Sequence, residues 1–281
     1  MRTIFSKSSN DLFHNTKVKE YLDGSYKVSC ANRPVYKEAG WEAPLKAFVP
    51  KPKDMENETR EDSLTRTKSK FVEICRCNDF TMFFTLTFDP EVVNSLDINE
   101  VKKYVQVFFS NLVQRNNANY VLVPETHKSG RIHIHGFMSA NVNLKYSGTV
   151  RLKGHKKPMK VETAKRYGIP SSECKPVYNL SNWKYGFSTV LLLDTNSDKT
   201  NMSKYMTKYI CKDSQMIFGN YYLAGGRELV RNAPFYLCDL NYNDVDYQKE
   251  YECPYTGVSF RIFDSANFRP EVSADEFFDL V

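Results

Sequence analysis

The stretch Arg131-Ile132-His133-Ile134-His135-Gly136-Phe137 constrains this chain more than any other. Its β-branched residues interleave with two histidines at a period of two, which a strand satisfies and a helix does not. Side chains alternate across a strand, so His133 and His135 share one face while Ile132 and Ile134 pack the other. Their Cα atoms then stand about 7 Å apart, and both imidazoles can serve one divalent cation if a neighbouring strand adds a third ligand. The run Asn119-Tyr120-Val121-Leu122-Val123-Pro124-Glu125-Thr126-His127 predicts that strand, and Lys128-Ser129-Gly130 the turn that closes a hairpin. Either Glu125 or His127 then lies beside the pair. Taken alone, an H-x-H also describes a half-exposed strand with idle histidines, so the rest of the chain decides.

Phe80 to Phe88 reads as a strong strand, with Thr81, Phe83, Thr85 and Thr87 on one face and Met82, Phe84, Leu86 and Phe88 on the other. Ser63 to Arg76 reads as a helix. Asp97-Ile98-Asn99-Glu100 resembles a capping box that starts a helix whose stripe is Val101, Tyr104, Val105, Phe108 and Leu112. Phe187 to Leu193 reads as a central strand. Asp198 to Lys212 then predicts a helix with Met206 and Ile210 towards the core and Tyr205 and Tyr209 one turn apart. Lys204, Lys208 and Lys212 keep the same four-residue period on the other flank of the tyrosines. An amphipathic helix with tyrosines at its boundary has the same pattern.

A chain of 281 residues can bury a full core as one large domain, or as one with elaborations. No window approaches the ~18 apolar residues of a membrane span, so no membrane association is expected. Seven cysteines in no repeating frame point to a reducing compartment; Cys75-x-Cys77 lacks a second pair at zinc spacing and reads as ordinary thiols near a helix end. The net charge of +6 is modest, but its distribution is not: Lys145, Arg151, Lys153, Lys156, Lys157, Lys160, Lys165 and Arg166 face the single acid Glu162 between positions 145 and 166. Such a segment is a solvated loop or a surface for a polyanion, and beside the histidines nucleic acid is the better reading. Residues 1–60 carry scattered prolines and no motif and read as an irregular extension packed on a core. The core spans 61–218 with a basic insertion at 145–166, followed by a C-terminal extension at 219–281.

Phe84-Thr85-Leu86-Thr87, His133-Ile134-His135 and Tyr205-Met206-Thr207-Lys208-Tyr209-Ile210-Cys211-Lys212 follow one another in the order of three known motifs. The chain resembles the HUH endonucleases that initiate rolling-circle replication, and in particular the initiators of gokushovirus-type microviruses, which are single-stranded DNA phages. Trp183-x-x-Gly186 fits the same group, whereas the strongly basic segment at 145–166 departs from it. The resemblance implies an α+β fold: an antiparallel sheet of five strands flanked by helices, RRM-like or ferredoxin-like in order. It also implies origin-specific single-stranded DNA as substrate, host helicase and polymerase as partners, and the cytoplasm of a bacterial host as location.

The chemistry implied is attack of a tyrosine hydroxyl on phosphorus, giving a 5′-phosphotyrosine and a free 3′-hydroxyl. Tyrosine is a weak nucleophile at a pKa near 10, so Mg²⁺ or Mn²⁺ held by His133, His135 and Glu125 is expected to polarise the phosphate. Tyr205 and Tyr209 are the nucleophiles, with Lys208 and Lys212 each three residues behind one of them to neutralise charge or pass protons. Lys153, Lys156, Lys157, Lys160, Arg131 and Lys204 are the expected DNA contacts. The competing readings are a non-catalytic single-stranded DNA-binding or regulatory protein, and a HUH transposase or relaxase. The paired Tyr-x-x-Lys units favour the nuclease over simple binding.

Overall fold

The computed structural model describes residues 13–37, 56–152, 157–193, 203, 206–210, 216–253 and 256–266, with backbone alone at 56–62. Two compact units emerge, one from residues 1–60 with 232–269 and one from 61–231 with 270–281.

The first unit contains β1 (Phe13–His14), β2 (Thr16–Glu20), β3 (Tyr26–Ala31) and β4 (Tyr36–Lys37). The second runs from α1 (Glu56–Cys77), whose first turn belongs to the first unit's span, through β5 (Met82–Phe88), α2 (Ile98–Asn116), β6 (Asn119–Thr126) and β7 (Ile132–Ser139). It continues with β8 (Leu144–Leu152), β9 (Met159–Lys160), α3 (Val161–Arg166), β10 (Cys174–Leu180), β11 (Gly186–Leu192) and β12 (Leu223–Gly225). The chain then returns to the first unit with β13 (Phe235–Cys238), β14 (Lys249–Glu252) and β15 (Ser259–Asp264).

The fold is α+β, and every strand pair is antiparallel. The sheet that carries the motifs has eight strands, not five, in the order β12-β6-β7-β5-β11-β10-β8-β9. The additional width comes largely from the basic segment. It is not a loop: Leu144–Leu152 pairs along β10 over seven positions, and α3 follows. Its charges ride on a half-exposed strand, where alternation hides the strand signal behind Lys145 and Arg151.

Residues 13–37 likewise form strands where sequence pattern suggested irregular chain. They join β13–β15 in a separate five-stranded sheet, β13-β2-β3-β15-β14. The partners lie more than two hundred residues away. Asn15 illustrates the lashing: its side-chain amide donates to the Leu240 carbonyl at 2.7 Å and accepts from the Leu240 N–H at 3.0 Å. No local pattern announces such pairing, because each strand is only two to six residues long.

In the eight-stranded sheet, α2 starts where Asp97 accepts hydrogen bonds from the N–H groups of Asn99 (2.8 Å) and Glu100 (3.2 Å). The reciprocal half of the expected box is replaced, since Glu100 accepts from the Asn94 N–H. The stripe Val101, Val105, Phe108, Phe109 and Leu112 is buried against Met82, Phe84, Leu86 and Phe88 of β5 and Ile132 and Ile134 of β7. The opposite sheet face is covered at one end by Phe71 of α1 and by Phe80, which lie 6.4 and 6.2 Å, ring to ring, from Phe137. Cys75 and Cys77 are buried at the end of α1, and burial pushes the Cys75 thiol well up, which disfavours a metal-binding thiolate. No helix among the described residues is long and apolar enough to cross a membrane.

Gly136 sits where β7 runs closest to its neighbours. A Cβ there would stand 2.5 Å from Phe84 Cζ and 2.5 Å from the Val121 carbonyl oxygen, in a core with no spare room. Gly136→Ala is expected to cost at least about 1–3 kcal/mol, read as a lower midpoint with unchanged slope in urea denaturation.

Candidate active site

The β6–β7 hairpin closes as expected at Gly130, whose φ of 79° suits glycine and whose N–H donates to the His127 carbonyl at 2.8 Å. In register, Glu125 stands opposite His133 and Val123 opposite His135. On the other side of β7, β5 sets Thr87 opposite His133 and Thr85 opposite His135. Histidines, threonines and Glu125 therefore share one face of three adjacent strands.

Both imidazoles are held by their Nδ1 atoms. Thr85 Oγ1 lies 3.0 Å from His135 Nδ1, and Thr87 Oγ1 lies 3.3 Å from His133 Nδ1. His135 Nε2 lies 3.0 Å from the Glu125 carboxylate, both side chains being 12% exposed. A hydroxyl both donates and accepts. Thr85 can thus donate to Nδ1 while Nε2–H faces Glu125, or accept from Nδ1–H when the Nε2 lone pair is required by a cation. That is the outer-shell support metal-binding histidines need. Two imidazoles and a carboxylate are a donor set suited to Mn²⁺ or Mg²⁺, although among the described residues no three such groups already stand together as a metal cluster. Where the sequence left Glu125 and His127 open, Glu125 is the one in contact with His135. His127 is exposed, 3.3 Å from Ser129 Oγ through Nδ1, with its ring 5.4 Å from that of His133.

Tyr209 lies flat on this site: its ring is 4.5 Å from that of His135 with 7° between the planes. Residues 206–210 are helical, and Met206 and Ile210, buried to 0% and 2% exposure, anchor that turn as the spacing predicted. Lys208 sits half-buried on the same turn. Tyr205, Lys204 and Lys212, together with Lys153 and Lys156 of the basic segment, lie outside the described residues. Lys157 and Lys160 are exposed at and before β9, and Arg131 is half-buried, donating to Ser95 Oγ at 3.0 Å. Trp183 is a core residue: its indole N–H reaches the Thr87 carbonyl at 3.3 Å, and its ring packs on Phe88 and Phe108. It steadies the end of β5 that presents Thr87.

The threonines are the site residues that sequence reasoning did not assign. Alternation already placed them on one face, but only the pairing of β5 with β7 shows what that face meets.

Residues 81–214 match the family model for the replication-associated protein ORF2. The match begins just before β5 and ends just beyond Tyr209, so every residue of the cluster falls inside it. No curated protein and no solved structure matches the chain. Similarity to this replication-associated family is consistent with a replication initiator that acts on DNA.

Proposed function

We propose that this protein is an origin-specific single-stranded DNA endonuclease and strand transferase that starts and ends rolling-circle replication, as HUH enzymes do. The observation that carries the reading is the environment of His135: Thr85 on one ring nitrogen, Glu125 on the other and the Tyr209 ring on its face, all inside the segment similar to replication-associated proteins.

His133, His135 and Glu125 would hold a divalent cation, which supplies Lewis-acid polarisation of the phosphate when bound. Tyr209 is the nucleophile nearest the cluster, and stacking limits its ring to small movements before attack. Its phenolic oxygen forms the new bond to phosphorus as the bond from phosphorus to the 3′ oxygen breaks. The phenol loses one proton and the departing 3′ oxygen gains one, so the step is balanced without oxidant or reductant. Lys208, on the same turn, is placed to offset phosphate charge or to donate to the leaving oxygen. A second tyrosine at 205 would permit another cleavage while the first DNA end is still attached.

The test is incubation with a randomised single-stranded oligonucleotide pool and Mn²⁺, followed by denaturing electrophoresis. An SDS-resistant protein–DNA adduct is the expected result; binding without any adduct would favour a non-catalytic DNA-binding protein.

The exposed basic edge gives a further expectation. Replacing Lys157 and Lys160 by glutamine should weaken single-strand binding and reduce its salt slope by up to roughly 0.7 per lost phosphate contact. An unchanged slope in a salt titration would mean that this edge serves solubility alone.

A further inference from the structure

At 77% exposure, Phe187 is more open to solvent than any other large apolar side chain among the described residues. Its position is specific. It stands in β11 opposite Thr87, Thr87 stands opposite His133, and His133 opposite Glu125. One row across four strands therefore reads Glu125, His133, Thr87, Phe187, all on the face that presents the histidines. The next row along that face is Val123, His135, Thr85 and Thr189, and the one after it Val121, Phe137, Phe83 and Leu191. Phe137 and Leu191 are buried, at 1% and 5% exposure, so the face is covered at one end and open where Phe187 stands.

A phenyl ring left in water forgoes about 1.5–3 kcal/mol that burial would return. Exposed rings are common singly, but this one is on the face of the histidines, two strands or about 10 Å from the His133 backbone. Its row and column neighbours on that face are Thr87 and Thr189. It is thus an isolated ring in a polar surround, much smaller than the several hundred Å² of a protein-docking patch.

We infer that Phe187 is a base-stacking platform, taking one nucleobase of the bound single strand within about three nucleotides of the phosphate at the histidines. The inference rests on the reading of the site as a single-strand nuclease, and it adds a subsite for the substrate. Every base has a π-face, so the platform positions the strand without reading its sequence. A duplex keeps its bases stacked on one another and gains nothing from the ring.

The test uses end-labelled oligothymidylate, its duplex with oligoadenylate, and fluorescence anisotropy over a salt series. Phe187→Ala and Phe187→Leu should weaken single-strand binding about five- to a hundred-fold, with the salt slope unchanged because no phosphate contact is lost. Phe187→Trp should keep or improve the affinity, and duplex binding should be the same in all four proteins. Wild-type affinity in Phe187→Leu would overturn the stacking role, since apolar bulk would then suffice; so would an equal loss on duplex. Adduct formation measured in parallel separates the two readings. Loss of single-strand affinity in variants of a protein that never forms an adduct would sink the nuclease and leave the platform. Adducts with no dependence of affinity on Phe187 would do the reverse.

Discussion

His133→Ala and His135→Ala should each lower adduct formation by at least about a hundred-fold, since removing charge stabilisation of several kcal/mol from a phosphoryl transfer has at least that effect on rate. DNA affinity should change little, because Lys and Arg contacts to phosphate supply most of the binding. The fold should also survive. The two side chains stand on the half-buried face of β7, whereas the main core is formed by Ile132, Ile134 and Met138 behind them. The two variants should still differ in one respect. His135 also contacts Glu125, Thr85 and the Tyr209 ring, so its loss leaves the 206–210 turn without its stacking partner. Undiminished cleavage by the double alanine variant in metal-free buffer would remove these histidines from the mechanism. A metal-soaked crystal with His127 bound and Glu125 turned away would reassign the third ligand.

Loss of both tyrosine hydroxyls has the second largest expected effect. Tyr205→Phe/Tyr209→Phe should form no covalent adduct at all, because phenylalanine keeps the ring and its packing but has no nucleophilic oxygen. Tyr209→Phe on its own retains a ring to stack on His135, so any loss it shows reports chemistry and not folding. At least one single variant should retain the first nick, since residues one turn apart on a helix reach neighbouring positions. Circularisation, which needs a second nucleophile while the first carries DNA, should fail in both single variants. Peptide mapping of the adduct assigns the order. If DNA is found on Tyr209 alone and Tyr205→Phe still circularises its substrate, the protein works with one tyrosine and position 205 is a packing residue.

Much of the site is local in origin and was legible for that reason. The alternation of β7 puts both histidines on one face, the turn at Gly130 brings Glu125 back to them, and the i, i+4 spacing of Met206 and Ile210 orients Tyr209. Each follows from the period of a single element. The capping of α2 by Asp97 is of the same kind, although the partner of Glu100 is not.

What the sequence by itself determined, then, is the periodicity of each segment and the side chains that share a face. Only the tertiary structure decided which faces meet. The threonines of β5 became the partners of the histidines because β5 pairs with β7 in one particular register; a slip of one residue would turn Thr85 and Thr87 to the opposite face. The basic segment became two strands and a helix at the edge of an eight-stranded sheet, and residues 13–37 became part of a second sheet with strands more than two hundred residues away. Side-chain alternation is written locally, but strand pairing closes long loops and is selected by the burial the whole chain achieves, so no window of sequence contains it.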